Sequence, residues 1–258
     1  IFSLGFLLND LGAWFTPMIY ALEERELILD VFEAVSGSRM MCNYMRFGGV
    51  VRDLPEGVMG TIKELVYERL PRMIEELNKM LSYNELLKER TVGTGVITAE
   101  QAINNGASGP MLRGSGVPYD IRRADPYSIY DQLEFDVVTG THGDVYDRYL
   151  LRLEEARQSV RILKQVIERM SEGPILAGKP TYQARVPAGE AYGRVESPKG
   201  ELGFYVVSNG KPNPWRYHIR SGSMINLTNL ADMCRGHKIA DAVVNLGSID
   251  IVLGEVDR

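Results

Sequence analysis

The chain has 258 residues, of which 45% are hydrophobic and 24% charged, and its formal net charge at pH 7 is −5. These values are typical of a globular protein that buries a large core, and the acidic balance argues against a nucleic-acid partner. The two cysteines, Cys42 and Cys234, are too few for a disulfide framework, and by themselves they cannot hold an iron–sulfur cluster or a structural zinc ion.

Helical periodicity dominates the first three fifths of the sequence. Leucines at helical spacing over residues 4–11 predict that the chain opens within a helix. Because the first residue is Ile1, inside this apolar segment, we expect the sequence to be the C-terminal part of a longer chain. Asp10 interrupts the segment, which is too short for a membrane span. A second helix is predicted over residues 21–37, and an irregular loop over 46–55.

Three further helices are predicted in the helical part. An apolar stripe indicates a helix over residues 58–81, and Pro71 should kink or divide it, because proline lacks a backbone donor and clashes with the preceding turn. A capping-box pattern predicts a short helix over residues 98–106. Residues 143–170 have one apolar side and one charged side, which predicts a core helix with a solvated face.

Strands replace helices in the last third of the chain. A connector rich in proline and glycine, 173–189, precedes candidate strands at 191–196, 201–207 and 215–220. The turn at 208–211 joins the last two strands as a hairpin. The chain then returns to helix.

The predicted fold is mainly α with a small antiparallel β element, an α+β class, in a single domain over residues 1–258. The sequence shows no internal repeat. Its parts are a helical body over about 1–172, a connector over 173–189, a small β-sheet over 190–221, and a C-terminal helix and tail over 222–258.

The residues alone do not define a self-sufficient active site. Cys234 and His237 have a C-x-x-H spacing, which is half of a metal site at most, and a buried free cysteine is the favoured interpretation. The glycine- and arginine-rich segment 113–123 permits close backbone approach and charge-assisted contacts. A buried turn whose arginines pair with Asp120 and Asp125 is favoured over a binding role.

The end of the chain, residues 249–258, alternates apolar and acidic side chains. A buried C-terminal plug and a frayed tail both fit this pattern. The apolar content favours the plug.

Several blocks of sequence resemble signatures of one known family. They are RFGGVVRDLP at 46–55, GPMLRGSG at 109–116, YDIRR at 119–123, GDVYDRY at 143–149, PKGELG at 198–203 and GEVDR at 254–258. The blocks follow the family's order over nearly the whole chain. The sequence is therefore similar to the D-type family of NADH–quinone oxidoreductase subunits. Its members are the large quinone-site subunit of respiratory complex I, and the chloroplast form is designated H.

This resemblance implies a fold related to [NiFe]-hydrogenase large subunits, a bundle of long helices flanked by small β elements. It also implies a function within a complex: quinone is the substrate and is reduced in a crevice beside a partner subunit that holds an iron–sulfur cluster, and the reduction is coupled to proton translocation. This chain itself would bind no cofactor and no metal. Its other partners would be peripheral-arm subunits and membrane-arm subunits next to the quinone site, on the cytoplasmic side of a prokaryotic inner membrane.

The resemblance assigns roles to five residues. Asp10 looks like the family aspartate that pairs with a headgroup-binding histidine, which lies before Ile1 in the family. Val252 and Asp257 fall in the C-terminal segment that lines the quinone pocket. Arg46 and Arg113 would face the iron–sulfur cluster of the partner.

Two alternatives remain open in the sequence. One is a hydrogenase-like large subunit of an ion-translocating membrane complex, and the other is a non-catalytic scaffold with the same fold. Hydrogenase relatives bind nickel through cysteines of the C-terminal segment, and the matching positions here are Val252 and Glu255, which supply no thiolates. The short connector is also found in enzymes fed by ferredoxin or a deazaflavin, so the electron donor stays open.

Overall fold

The structure, a computed structural model, describes residues 1–12, 16–178 and 186–257. Most of this part of the chain is helical or lies in short antiparallel sheets. The helices are α1 (Phe2–Asp10), α2 (Thr16–Ser36), α3 (Val58–Glu64), α4 (Leu70–Leu77), α5 (Glu85–Thr91), α6 (Ala99–Asn104), α7 (Pro110–Gly114), α8 (Ile121–Ala124), α9 (Val145–Arg169), α10 (Gly222–Leu227), α11 (Leu230–Cys234), α12 (Ile239–Ile249) and α13 (Leu253–Asp257).

The strands form two small sheets, and both are antiparallel. A hairpin joins β1 (Met45–Arg46) and β2 (Gly49–Val50), and the larger sheet has the order β3-β4-β5, from β3 (Gly189–Ser197), β4 (Gly200–Ser208) and β5 (Arg216–Arg220). The prediction of a mainly helical α+β fold with a small antiparallel sheet is thus confirmed. Of the predicted connector, residues 179–185 lie outside the described residues.

The main hydrophobic core joins both ends of the chain. Leucines of α1 pack with apolar residues of α4 and α9, and Val244 of α12 lies in the same cluster with no exposed surface. Burial of such side chains is the dominant favourable term in folding, so this cluster fixes α12 against α1 and α9. The ends of α1 and α12 come together for this reason.

Pro71 neither ends nor divides the predicted long helix. Helical structure runs continuously from Val58 to Ser82, and the segments Leu65–Arg69 and Asn78–Ser82 are π-helical. The first π segment stands directly before the α4 turn that contains Pro71, where the N–H of Leu70 donates to the carbonyl of Leu65. A wider turn accommodates the missing donor and the bulk of proline without a break.

The second helix begins at Thr16, earlier than the predicted residue 21. Pro17 occupies its first turn, where the fixed φ of proline suits a helix and its missing N–H has no intrahelical partner to lose. The pair Thr16-Pro17 is therefore a start signal that the periodicity alone does not show. Glu24 of this helix is buried and pairs with Arg69 at 2.9 Å.

One face of the larger sheet carries polar side chains toward the helices. On β3, Glu196 accepts from Arg113 at 2.7 Å and Arg194 pairs with Asp125 at 3.2 Å. The opposite face carries apolar residues such as Phe204 and Tyr217, whose rings lie 6.0 Å apart. The sheet is therefore attached to the body through charged pairs.

The capping box of α6 gives a test of local structure. The Thr98 hydroxyl accepts from the N–H of Gln101 at 3.2 Å, and the Gln101 carbonyl oxygen accepts from the N–H of Thr98 at 3.0 Å. Thr98→Ala is expected to lower the free energy of unfolding by about 1 kcal/mol, because two helix-terminal donors depend on this pair. Urea denaturation against Thr139→Ala, an exposed loop substitution, measures the effect, and equal midpoints would contradict it.

Candidate functional site

Asp10 is the last residue of α1, and its carboxylate lies against α12. A Cβ atom at Gly247 would lie 2.5 Å from Oδ2 of Asp10, so only glycine permits this approach. Burial raises the pKa of Asp10 above its ordinary value. Within the described ranges no hydrogen bond or ion pair holds this carboxylate. It is a partly buried carboxylate, available to a partner that those ranges do not supply.

The tail, residues 250–257, begins where α12 ends. Asp250 has φ 62°, a left-handed conformation that ends α12, and its carboxylate forms an ion pair with Lys199. Val252 follows and is 47% exposed, and Asp257 is exposed. Gly247 lies in the last turn of α12, so Asp10 contacts the helix that leads into the tail, whereas Val252 follows five residues later and makes no contact with Asp10 among the described residues.

The tail is attached by polar contacts and not as a buried plug. The Glu255 carboxylate accepts from the N–H of Gly222 at 3.0 Å and from the N–H of Ser223 at 3.3 Å, and the Ser223 hydroxyl also donates to it. No residue of α13 is buried, and Leu253 is 67% exposed. The interpretation of the chain end as a buried plug is therefore wrong for α13, whereas Ile249 is 2% exposed and Ile251 packs partly buried beside it.

Two arginines of α9, which the sequence pattern did not single out, hold the end of α12. Arg148 is fully buried and donates to Ser248 Oγ at 3.1 Å and to the carbonyls of Gly95 and Gly143 at 2.9 and 2.8 Å. Arg152 donates to the carbonyl of Ile249 at 3.2 Å. Their signal in the sequence is a spacing of four residues, which places both on one face of the helix.

Burial and the like charge of Arg152 act on Arg148 together. They lower the pKa of Arg148 to about 9, so its guanidinium stays charged at neutral pH without a carboxylate in an ion pair. A buried cation needs hydrogen bonds to compensate for its lost hydration, and the backbone carbonyls supply them. These contacts connect α9 rigidly to the helix that faces Asp10.

Arg113 lies in a buried network of carboxylates. Its Nε donates to Glu155 and its Nη1 to Glu196, both at 2.7 Å, and Asp120 is 3.8 Å away. Burial would lower the pKa of Arg113, but the charges of Glu155 and Glu196 outweigh it and raise that pKa. Arg122 holds Asp120 at 2.6 Å. The buried-turn interpretation is confirmed for Asp120.

The same interpretation is wrong for Asp125, which pairs with Arg194 of the sheet. The reason is that the sheet packs over this turn. Neither the sequence of the turn nor that of the strand shows this contact by itself. The side chain of Arg113 is only 3% exposed and lines a cavity of about 410 Å³ together with Arg152 and Asp250. That Arg113 faces a partner's cluster stays a prediction.

Arg46 lies on β1 in the hairpin that replaces the predicted irregular loop. Its side chain is exposed and bonds to Asn43, and Phe47 at the hairpin tip is 99% exposed. Gly49 on β2 has φ 152°, and a Cβ there would meet the carbonyl oxygen of Ile175 at 2.1 Å. The hairpin is thus held by the segment that follows α9, and its orientation toward a partner stays a prediction.

The cysteines and acidic side chains of the described residues do not form a metal centre. No group of three or more His, Cys, Asp or Glu side chains is arranged there to hold a metal ion. Cys42 and Cys234 are free and partly buried, and the amide of Asn245 approaches Cys234 Sγ at 3.7 Å. None of the helices in the described ranges has the length and apolar character to cross a membrane.

Comparison with known proteins identifies the family. The family model described as "Respiratory-chain NADH dehydrogenase, 49 Kd subunit" matches residues 10–258. The chain is 56% identical to a D-type NADH-quinone oxidoreductase subunit of Roseiflexus sp. (strain RS-1), over 99% of this chain and 70% of that protein. The D-type subunits of Herpetosiphon aurantiacus and Dehalococcoides mccartyi are each 52% identical, again over 99% of this chain, and 70% and 69% of their lengths are covered. The resemblance seen in the sequence is confirmed, and the chain belongs to the family of the 49 Kd subunit of respiratory-chain NADH dehydrogenase.

Proposed function

We propose that this chain is the quinone-site subunit of an NADH–quinone oxidoreductase, with Asp10, Val252 and Asp257 at the quinone pocket. The relatives at 52–56% identity are named as D-type subunits of that enzyme. The observation that carries the assignment is the end of α12, where Gly247 receives the Asp10 carboxylate and the chain continues into the tail with Val252.

Each residue suits its role chemically. A carboxylate orients an imidazole and stabilises its charged form, and Asp10 has no other partner in the described ranges. Val252 supplies an apolar wall for a quinone ring, and Asp257 a polar group near it. Reduction of a quinone to its quinol takes two electrons and two protons, so a site with a partly buried acid fits the reaction.

The electrons reach the quinone from outside this chain. In this proposal an iron–sulfur cluster of a partner subunit supplies them, with Arg46 at the exposed hairpin and Arg113 facing that partner. Other peripheral-arm subunits and membrane-arm subunits complete the complex, which works on the cytoplasmic side of a prokaryotic inner membrane and translocates protons. Arginines near a cluster stabilise its reduced form electrostatically.

The hydrogenase-like and scaffold alternatives are less well supported. The matching relatives are named as quinone oxidoreductase subunits. Glu255, at one position where a thiolate would bind nickel, uses its carboxylate for hydrogen bonds to Gly222 and Ser223. Its role is therefore structural.

Val252→Phe in the intact complex tests the pocket assignment. The larger ring is expected to raise the KM for quinone about tenfold and to change the sensitivity to quinone-site inhibitors, because overpacking a fitted cavity costs about 1–3 kcal/mol. Val92→Phe, at an exposed position after α5, is the matched control. If KM and inhibitor sensitivity both stay at wild-type values, Val252 does not line the pocket.

A further inference from the structure

We infer that Ser223 is a positioning residue that, with Glu255, fixes the tail against α10 and thereby sets the place of Val252. This inference rests on the proposed function, because it concerns the part that Val252 plays in the quinone pocket. Neither the sequence pattern nor the family resemblance singled out Ser223. It is fully buried on α10, beside the first turn of the tail.

Ser223 contacts both ends of the segment that carries Val252. Its hydroxyl accepts from the N–H of Val252 at 3.3 Å and donates to the Glu255 carboxylate. Its own N–H donates to Oε2 of Glu255 at 3.3 Å, and the N–H of Gly222 donates to Oε1 at 3.0 Å. One side chain thus joins the backbone at Val252 to the carboxylate that anchors α13.

Apolar packing of the tail is limited to Ile251, which is partly buried against the hydrophobic cluster that contains Ile249. Val252 and Leu253 are 47% and 67% exposed, and no residue of α13 is buried. The position of a segment with so little buried apolar surface depends on its hydrogen bonds. Loss of the Ser223 hydroxyl therefore lets Val252 shift, while Ile251 keeps its apolar contact and Glu255 keeps its bonds to the backbone N–H groups of Gly222 and Ser223.

The start of the tail has separate anchors. Lys199 pairs with Asp250, and Arg152 donates to the carbonyl of Ile249 at 3.2 Å. Because these contacts do not involve Ser223, a change at Ser223 affects the tail beyond Asp250 and not the end of α12.

Ser223 is also not needed to cap its own helix. Ser221 is the N-cap of α10, and its side chain accepts from the N–H of Met224 at 3.0 Å. A general loss of α10 is therefore not the expected result of Ser223→Ala. Thr228→Ala is the matched control, because Thr228 lies at the other end of α10 and its hydroxyl donates to the carbonyl of Ile225, away from the tail.

The experiment uses the assembled complex with NADH as donor. Ubiquinone and menaquinone analogues with one isoprenoid unit serve as probes, and kinetics are measured with the one that the wild type reduces faster. Ser223→Ala is expected to raise the KM for that quinone about fivefold, which is about 1 kcal/mol, with kcat within a factor of two. Glu255→Gln, which keeps an acceptor oxygen but loses the charge, should give a smaller rise, and Thr228→Ala none.

The outcomes separate this inference from the proposed function. A wild-type KM in Ser223→Ala, together with a raised KM in Val252→Phe, would overturn the inference and leave the pocket assignment standing. A wild-type KM in both variants would overturn the placement of Val252 at the quinone pocket and, with it, this inference. A fall in kcat without a change in KM, or a complex that fails to assemble for Ser223→Ala while Glu255→Gln assembles with wild-type KM, would show that Ser223 has only a structural role.

Discussion

Arg113→Met is expected to lower the free energy of unfolding by about 3–5 kcal/mol. The side chain of Arg113 is 3% exposed, and it neutralises Glu155 and Glu196 at 2.7 Å each. Methionine fills similar space but leaves these carboxylates buried without their cation. Removal of one partner from a buried ion pair costs far more than the pair itself contributes, because the remaining charge is not hydrated.

Denaturant unfolding of the chain measures this loss, and the pH dependence identifies its cause. Burial already raises the pKa of Glu196, and Arg113 opposes that rise. Without Arg113 the folded-state pKa rises further above the unfolded one, so the folded protein binds more protons and its stability falls as pH increases. The deficit should therefore be smaller at pH 5 than at pH 8.

Arg157→Met is the control for Arg113→Met. Arg157 pairs with Glu75 and Glu154 at 2.8 Å, but these side chains are about a third to a half exposed. Such surface pairs contribute about 0–1 kcal/mol. A loss for Arg113→Met no larger than the loss for Arg157→Met would mean that the buried network does not hold the sheet to the body.

Gly247→Ala is expected to lower quinone reduction by about tenfold to a hundredfold while the complex still assembles. The new Cβ would lie 2.5 Å from Oδ2 of Asp10, so the carboxylate must move away from α12. Displacement of a polar group by about 1 Å can cost a hundredfold in rate. Stability should not fall, because alanine is favoured over glycine inside a helix by about 1 kcal/mol.

Turnover and assembly are both measured for Gly247→Ala. Gly60→Ala and Asp10→Asn are measured in the same way. Gly60 lies in α3 with open space around it, so its substitution should change neither quantity. Asp10→Asn should reproduce the loss of turnover, which a non-catalytic scaffold would not show. Full activity in both Gly247→Ala and Asp10→Asn would remove Asp10 from the site.

Periodicity predicts the helices and strands that form the core. It does not predict which charged residues are buried by tertiary contacts. The helix over residues 145–169 and the three strands of the larger sheet follow their patterns closely. The charged residues Arg148 and Arg152 are buried against α12, which no pattern of apolar residues reveals. A charged side chain on a helix usually indicates a solvated face, so a prediction from the pattern of apolar residues misses arginines that are buried.

The candidate site was predictable only in part. Family resemblance points to Asp10 and Val252, but the contact that places Asp10 against α12 is made at Gly247, and a glycine inside a helix gives no signal of what approaches it. The sequence does not indicate the importance of Ser223 either, because a small polar residue near a helix start is common. Its importance depends on the tail folding back over α10.

Because the tail is attached by polar contacts, the stability of the core and the position of the tail can change independently of each other. Release of a segment without buried apolar residues requires only local opening, at a free energy below that of global unfolding. Substitutions in the core between α4 and α9 are therefore expected to change thermal resistance without moving the tail. Under the function proposed above, sequence change in the tail and on α10 is expected to alter quinone selectivity while the core keeps its stability, so the two traits can diverge independently among relatives.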